Sequence, residues 1–270
     1  MALYHVEDSS VPHPFRRRKW TVVRDDLYIP KRTQQSPALG RSIRLITYNV
    51  WFEAILKEQR ALELLRHLCE QNPDICCLQE VTPVFETILR NHPFAKKHWV
   101  LTSLLDQQET HAHTLIQSGQ LCIGNVHLDY APAIRASEIN HCVRHLGSEN
   151  FTASILCGDT NIISNDEITP LLNAGYLDTG AHGPLTDTGS APDPTYGDFG
   201  IKIRNNHPAE GPSRRLDLIM CRGLHILAYK LIGRDPIARK HLKGTGADKE
   251  TLMDVFPSDH AGVCVDVGLG

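Results

Sequence analysis

No stretch of this 270-residue chain is apolar for long enough to cross a membrane as a helix. Its first residues, Met1-Ala2-Leu3-Tyr4-His5-Val6-Glu7, have neither the basic nor the apolar region of an export signal, so secretion is not expected. Positive charge is not in excess. The net charge is −3 with histidine neutral, which excludes a globally basic nucleic-acid coat but leaves room for a local groove. The eight cysteines contain no Cys-x-x-Cys pair. Most stand inside apolar runs, as in Ile75-Cys76-Cys77-Leu78 and Ile155-Leu156-Cys157, and read as buried reduced thiols. Reduced thiols without an export signal point to the nucleus or cytoplasm. No internal repeat is present. His111-Ala112-His113 lacks further ligands at zinc spacing.

What remains is an ordinary soluble composition, 41% hydrophobic and 22% charged. Residues 1–42 hold scattered prolines and no sustained period, and read as an irregular N-terminal arm. Residues 43–270 read as one domain. Residues 43–49 are rich in strand formers. Residues 57–71 carry Ala61, Leu64, Leu65 and Leu68 at helical spacing, and Asn72-Pro73 ends that helix. A short apolar strand follows at 74–78. Thr82-Pro83 then reads as a helix cap with proline at the first position. Further strands are expected at 121–128, 153–157, 215–221, 225–232 and 263–267, with a helix at 134–146. A capping box at Ser164-Asn165-Asp166-Glu167 opens another helix. Residues 178–213, rich in Gly, Pro, Asp and Asn, read as loop. The alternation gives an α/β or layered α+β domain.

Polar residues recur within or beside these strands: Asn49, Glu80, His127 and Asp159 with Asn161 follow or end apolar runs, Asp217 sits within one, and Asp259 with His260 precedes the last. A packed sheet buries carboxylates only at high cost, so these groups are expected to face a polar cleft. Glu80 and Asp259 are hard oxygen ligands suited to Mg²⁺. Asp217 can hold His260 in one tautomer, although an ion pair with Arg214 or Arg215 is the alternative. Asp159 suits a general base or a water-positioning group. Asn49, Asn161 and His127 offer donors to phosphate oxygens, and His127 reads equally well as a core histidine. Such a set suits cleavage of a phosphate ester.

The runs Ile46-Thr47-Tyr48-Asn49-Val50, Leu78-Gln79-Glu80-Val81, Asn125-Val126-His127-Leu128, Gly158-Asp159-Thr160-Asn161, Arg215-Leu216-Asp217 and Pro257-Ser258-Asp259-His260 occur in that order. Together they resemble the endonuclease/exonuclease/phosphatase superfamily of Mg²⁺-dependent phosphohydrolases, over nearly all of the chain after residue 43. The wording of the last three, with Phe256 before Pro257, is most similar to the tyrosyl-DNA phosphodiesterase branch. The resemblance implies a four-layer α/β sandwich, with two central mixed β-sheets flanked by helices. It implies Mg²⁺, with Mn²⁺ as a substitute, on Glu80, supported by Asp259 and Asn49. Asp159 would orient or deprotonate water. Asn161 and His127 would hold phosphate, with Asn49 as a further donor and Arg135 near the substrate. A surface helix position is the alternative for Arg135. His260, oriented by Asp217, would stabilise charge on the phosphoryl group. The implied partner is nucleic acid, a DNA 5′ end carrying a phosphotyrosyl adduct, bound by a monomer without a membrane. The same chemistry serves other phosphodiesters and phosphomonoesters, so the core set identifies the reaction better than the substrate.

Only 47 positions separate Glu80 from His127. That is shorter than the resemblance implies, and residues 99–121 do not read as strands. About two strands of the first sheet are therefore expected to be absent. The rival reading is a shortened, catalytically inactive variant, because lost strands expose apolar edges.

Overall fold

The computed structural model describes residues 42–98, 114–118, 121–147, 151–183, 193–197, 213–243 and 250–269. The expected N-terminal arm, apart from Ser42, and His111-Ala112-His113 lie outside them. Strand β1 (Ser42–Asn49) leads to helix α1 (Lys57–Gln71), β2 (Ile75–Gln79), α2 (Pro83–Asn91) and α3 (Pro93–His98). Strands β3 (Thr114–Ser118) and β4 (Leu121–His127) precede α4 (Pro132–Leu146) and β5 (Ala153–Asp159). A 3-10 turn (Asn165–Ile168), α5 (Thr169–Asn173), β6 (Leu177–Asp178) and α6 (Thr179–His182) follow. The chain then forms β7 (Asp217–Arg222), β8 (Leu224–Ile232), β9 (Ala238–Lys243), β10 (Glu250–Val255) and β11 (Gly262–Leu269). No helix among the described residues is long and apolar enough to cross a membrane.

Two mixed sheets result. One runs β2-β1-β11-β8, with β1 and β2 parallel and the other pairs antiparallel. The other runs β3-β4-β5-β7-β6, with only β4 and β5 parallel. Strand residues alternate faces, so neighbouring residues enter different cores. Leu45, Val263 and Val265 of the first sheet meet Ile123, Ile155 and Ile219 of the second in one cluster. The next residues along, Ile46 and Cys264, pack with Leu64, Leu65 and Leu68 of α1 and Phe85 of α2. Cys122, Leu156 and Met220 pack with Ile139, Cys142 and Leu146 of α4. Helices, sheet, sheet, helices is the four-layer sandwich that the motifs led us to expect. Burial on both faces also explains why the strands read as nearly continuous apolar runs.

Helix α1 occupies the expected residues. The Thr82 side chain accepts the Phe85 N–H and Pro83 opens α2. The Ser164 capping box forms, but on the 3-10 turn. Strand β3 was not expected; it lies between Glu80 and His127 and pairs antiparallel with β4. Residues 99–113 of that interval lie outside the described residues. The β9–β10 hairpin was also not expected. Within the expected loop 178–213, α6 forms and Tyr196 bridges Arg214 and His260. All eight cysteines are free, six buried and two, Cys69 and Cys76, partly so.

Candidate active site

Register brings the polar strand ends together. His127 is paired with Asp159 across β4 and β5, and Asp159 with Asp217 across β5 and β7. Three adjacent strands thus put one ionisable side chain each at the same edge of the second sheet. Asn49 ends β1 of the facing sheet, and Glu80 follows β2 directly. The sheets are tied here by a polar link: Gln79 Nε2 donates to Asn125 Oδ1 at 2.7 Å and to Thr47 Oγ1 at 2.9 Å.

Backbone strain concentrates at this end. Trp51, Glu80 and Asn161 have φ of 58°, 56° and 51°, in the left-handed region that non-glycine residues rarely adopt. Each such residue costs about 1–3 kcal/mol, and such residues cluster at functional sites. Gly158, just before Asp159, has φ of +139°, and a Cβ there would lie 1.9 Å from the Val126 carbonyl oxygen. Only glycine fits that close approach of β5 to β4.

Asp159 is the centre. Its Oδ2 accepts from Asn49 Nδ2 at 3.0 Å and lies 3.4 Å from His127 Nε2 and 3.7 Å from His260 Nε2. Its Oδ1 accepts the Asn161 N–H at 3.1 Å. Asn49 Nδ2 also donates to Glu80 Oε1 at 3.0 Å, while its Oδ1 accepts the Trp51 N–H at 3.0 Å. Glu80 Oε2 accepts the Phe52 N–H at 3.0 Å. His260 Nδ1 meets Asp217 Oδ2 at 2.7 Å, which puts the Nδ1 proton toward Asp217 and turns Nε2 to Asp159. Thr195, fully buried, accepts the N–H groups of Leu216 and Asp217 at 3.0 Å each, and so seats the start of β7. The Tyr196 ring lies 5.0 Å from that of His260.

Burial disfavours a charged His260, but Asp217, Asp159 and Asp259 outweigh it and raise its pKa well above the ordinary value. Burial lifts the Asp217 carboxyl, and His260 pulls it back. Burial also pushes Asp259 up to about 7; His260 opposes that rise, and the charges of Glu80 and Asp159 add to it. This concentration of carboxylates fits a hard divalent cation. Ligand atoms of Glu80, His127 and Asp159 lie within 4.8 Å of one another, as do those of Asp159, Asp217 and His260. The second set is engaged by the Asp217–His260 hydrogen bond, so the Glu80–Asp159 side has the better oxygen donors.

Three expected residues stand differently. Asn49 turns its amide nitrogen to the carboxylates, because its oxygen is held by Trp51. It stands there as a donor to both Glu80 and Asp159. Asp259 is not in either donor set; its Oδ1 lies 3.4 Å from Ser258 Oγ. Arg135, expected near the substrate, is fully buried. It binds Glu167 and the carbonyls of Asp129 and Tyr130, because its position on the first turn of α4 points between the loops after β4 and β5.

Sequence reading missed Arg60. It is 2% exposed, and its guanidinium donates to the carbonyls of Val50, Trp51, Glu53, Ile55 and Pro257. It stacks 4.2 Å over the Trp51 ring. Arg60 therefore ties the loop after Asn49 to the turn that carries Asp259 and His260. Ser258 completes the tie through Asn49 O at 2.6 Å. The only local signal was an arginine at the apolar edge of a helix.

Solved structures with the same fold include D. rerio TDP2 complexed with a single-strand DNA product. It is 18% identical, matches 84% of this chain and 99% of that one, and has a TM-score of 0.59. TDP2 from C. elegans is 16% identical over 86% of this chain and 77% of that one, with a TM-score of 0.63. An endonuclease/exonuclease/phosphatase family protein from Bacteroides thetaiotaomicron is 13% identical over 86% and 99%, with a TM-score of 0.56. No curated protein sequence matches the chain. The profile described as the Endonuclease/Exonuclease/phosphatase family matches residues 46–260, most of the chain, and this protein belongs to that family.

Proposed function

We propose that this chain is a divalent-metal-dependent phosphodiesterase that acts on a DNA 5′ end carrying a phosphotyrosyl adduct. The family's members are hydrolases of phosphate esters. The observation that carries the reading is the Asp159 carboxylate, held between two imidazoles and bonded to Asn49, which aligns Glu80. The likeness to TDP2 structures, one holding a single-strand DNA product, supports the choice of substrate.

Glu80 and Asp159 would hold Mg²⁺, or Mn²⁺ in its place, with Asp259 adding negative charge nearby. Such a cation, when bound, neutralises charge on phosphoryl oxygens. Asp159 orients the attacking water and takes its proton. Two donors, Asn49 Nδ2 and Asn161 N, hold the carboxylate still for that task. His260, kept protonated by Asp217, donates from Nε2 to a phosphoryl oxygen as charge builds there. His127 Nε2 faces the same space. Asn161 commits one amide hydrogen to the Leu128 carbonyl and offers the second to phosphate. The leaving group is a tyrosine phenolate, whose acid has a pKa of about 10, so it departs without a strong general acid. The setting is the nucleus or cytoplasm.

The test is tyrosine release from a 5′-phosphotyrosyl oligonucleotide, with and without Mg²⁺, beside Asp159→Asn. Release that needs the metal and disappears in the variant is expected. No release by a cooperatively folded sample, with or without Mn²⁺, overturns the substrate. No hydrolysis of any phosphodiester under the same conditions overturns the reaction class and leaves the inactive variant.

A further inference from the structure

Large apolar side chains are exposed at few places among the described residues, and three of them stand on loops that leave the site's strands. Phe52 is 55% exposed, Tyr130 81% and Ile163 57%. They stand on three different loops, after β1, β4 and β5. The Phe52 N–H is bonded to Glu80 itself. Tyr130 is three residues past His127, and Ile163 two past Asn161. At about 3.8 Å per residue, their Cα atoms lie within ~11 Å and ~8 Å of those of His127 and Asn161.

Loose loops do not account for this exposure. The Tyr130 carbonyl accepts from Arg135 at 2.8 Å, and the Ile163 N–H donates to Glu167 at 3.0 Å. Arg135 and Glu167 are bonded to each other, and Asn161 is bonded to the Leu128 carbonyl, so the two loops are joined side by side. Nor do the two arginines bonded to these loops reach out for phosphate. Arg60 is spent on five carbonyls and Arg135 on Glu167 and two carbonyls. What the held loops offer beside the phosphate position is two aromatic rings and one branched apolar side chain.

Resting on the function proposed above, we infer that Phe52, Tyr130 and Ile163 grip the nucleobase next to the scissile phosphate by stacking and apolar contact. Every base has a π face, so such a grip tolerates any sequence. A ring on fixed backbone has few angles left to lose on binding. The preferred substrate is a single strand with an unpaired, unstacked base at that position.

Tyr130→Ala and Phe52→Ala change exposed side chains and leave the core intact. Each is expected to weaken a labelled single-stranded oligonucleotide by about 5- to 150-fold in fluorescence anisotropy without metal. Tyr130→Phe keeps the ring and should bind like the unaltered chain. An oligonucleotide abasic at the terminal position should lose a similar factor on the unaltered chain and no more on Tyr130→Ala. With Mg²⁺, Tyr130→Ala should lose kcat/KM on the oligonucleotide but stay within about twofold on methyl p-nitrophenyl phosphate, which has no base. Equal binding by both alanine variants, or undiminished binding of the abasic strand, overturns the inference. Base-dependent binding without turnover of either ester sinks the enzymatic reading and keeps the rim.

Discussion

Replacing Arg135 by methionine is expected to destabilise the fold by about 3 kcal/mol, near the lower end for breaking a buried ion pair. Methionine retains much of the apolar stem but none of the donors. The structure sets the size of the loss. Arg135 donates to Glu167 at 2.7 Å, to Asp129 O at 3.0 Å and to Tyr130 O at 2.8 Å. Each hydrogen bond to a charged group is worth about 1.5–3 kcal/mol, so three set an upper bound near the sum. The sum is not reached, because the Glu167 side chain is 19% exposed and regains water once released. Glu167→Gln keeps an acceptor for Nε and should cost less, about 2 kcal/mol. Urea unfolding followed by circular dichroism gives both values, with unchanged m-values required for the comparison. A substrate-contact role for Arg135 predicts the opposite pattern: a raised KM and unchanged stability. Stability of Arg135→Met within about 1 kcal/mol of the unaltered chain would refute the structural account.

Gly158→Ala places a methyl group 1.9 Å from the Val126 carbonyl oxygen. A melting temperature lower by about 6 °C or more is expected, and an unchanged one would show that β5 shifts freely. Asp217→Asn removes the charge that orients and protonates His260. By the logic of carboxylate-oriented catalytic histidines, kcat should fall by about 10³- to 10⁴-fold with little change in KM, as measured on the oligonucleotide substrate. Burial, with Arg66 beside it, lowers the His67 pKa; Glu63, Glu70 and Asp235 oppose this. The unfolded chain therefore takes up a proton as pH falls through about 6.5 while the folded chain resists, so stability drops toward acid pH. His67→Gln should flatten that part of a pH–stability curve. Burial pushes the Cys142 thiol up to about 12. At pH 8 a thiol reagent should modify no more than the two partly buried cysteines, Cys69 and Cys76, until denaturant exposes the remaining six.

The parts of the fold readable from sequence were those whose order is local. Helix α1 shows an apolar stripe and a stop signal, and α2 shows a threonine cap and a proline, so both lay where expected. Central strands buried on both faces appear as apolar runs. Strand β3, Thr114-Leu115-Ile116-Gln117-Ser118, is short and sits at a sheet edge; only pairing with β4 defines it. The β9–β10 hairpin is full of charge, including Arg239, Lys240, His241 and Lys243, and each strand is defined by the other. Non-local pairing of this kind leaves no period to count.

The candidate site divides the same way. Asn49, Glu80, His127, Asp159, Asp217 and His260 were legible because each stands at or beside the end of a strand, and the pairing of those strands then brings them together. Arg60 was not, because it binds main-chain carbonyls of distant segments, and a carbonyl has no residue type to recognise. Arg135 was misplaced for the related reason that an arginine at a helix start reads as exposed, while its burial depends on Glu167, far along the chain. Glu80 and Asn161 show a sharper limit. Glu80 directly follows an extended strand yet is left-handed; Asn161 is left-handed too, a conformation that asparagine adopts more readily than glutamate. The conformations persist because hydrogen bonds hold them: Asn49 and Phe52 hold Glu80 from another segment, and Leu128, with the neighbouring Asp159, holds Asn161. At Glu80 local preference thus fails at a residue that the strand-end motifs mark for chemistry, as expected where a fold gives up stability to hold a site in place.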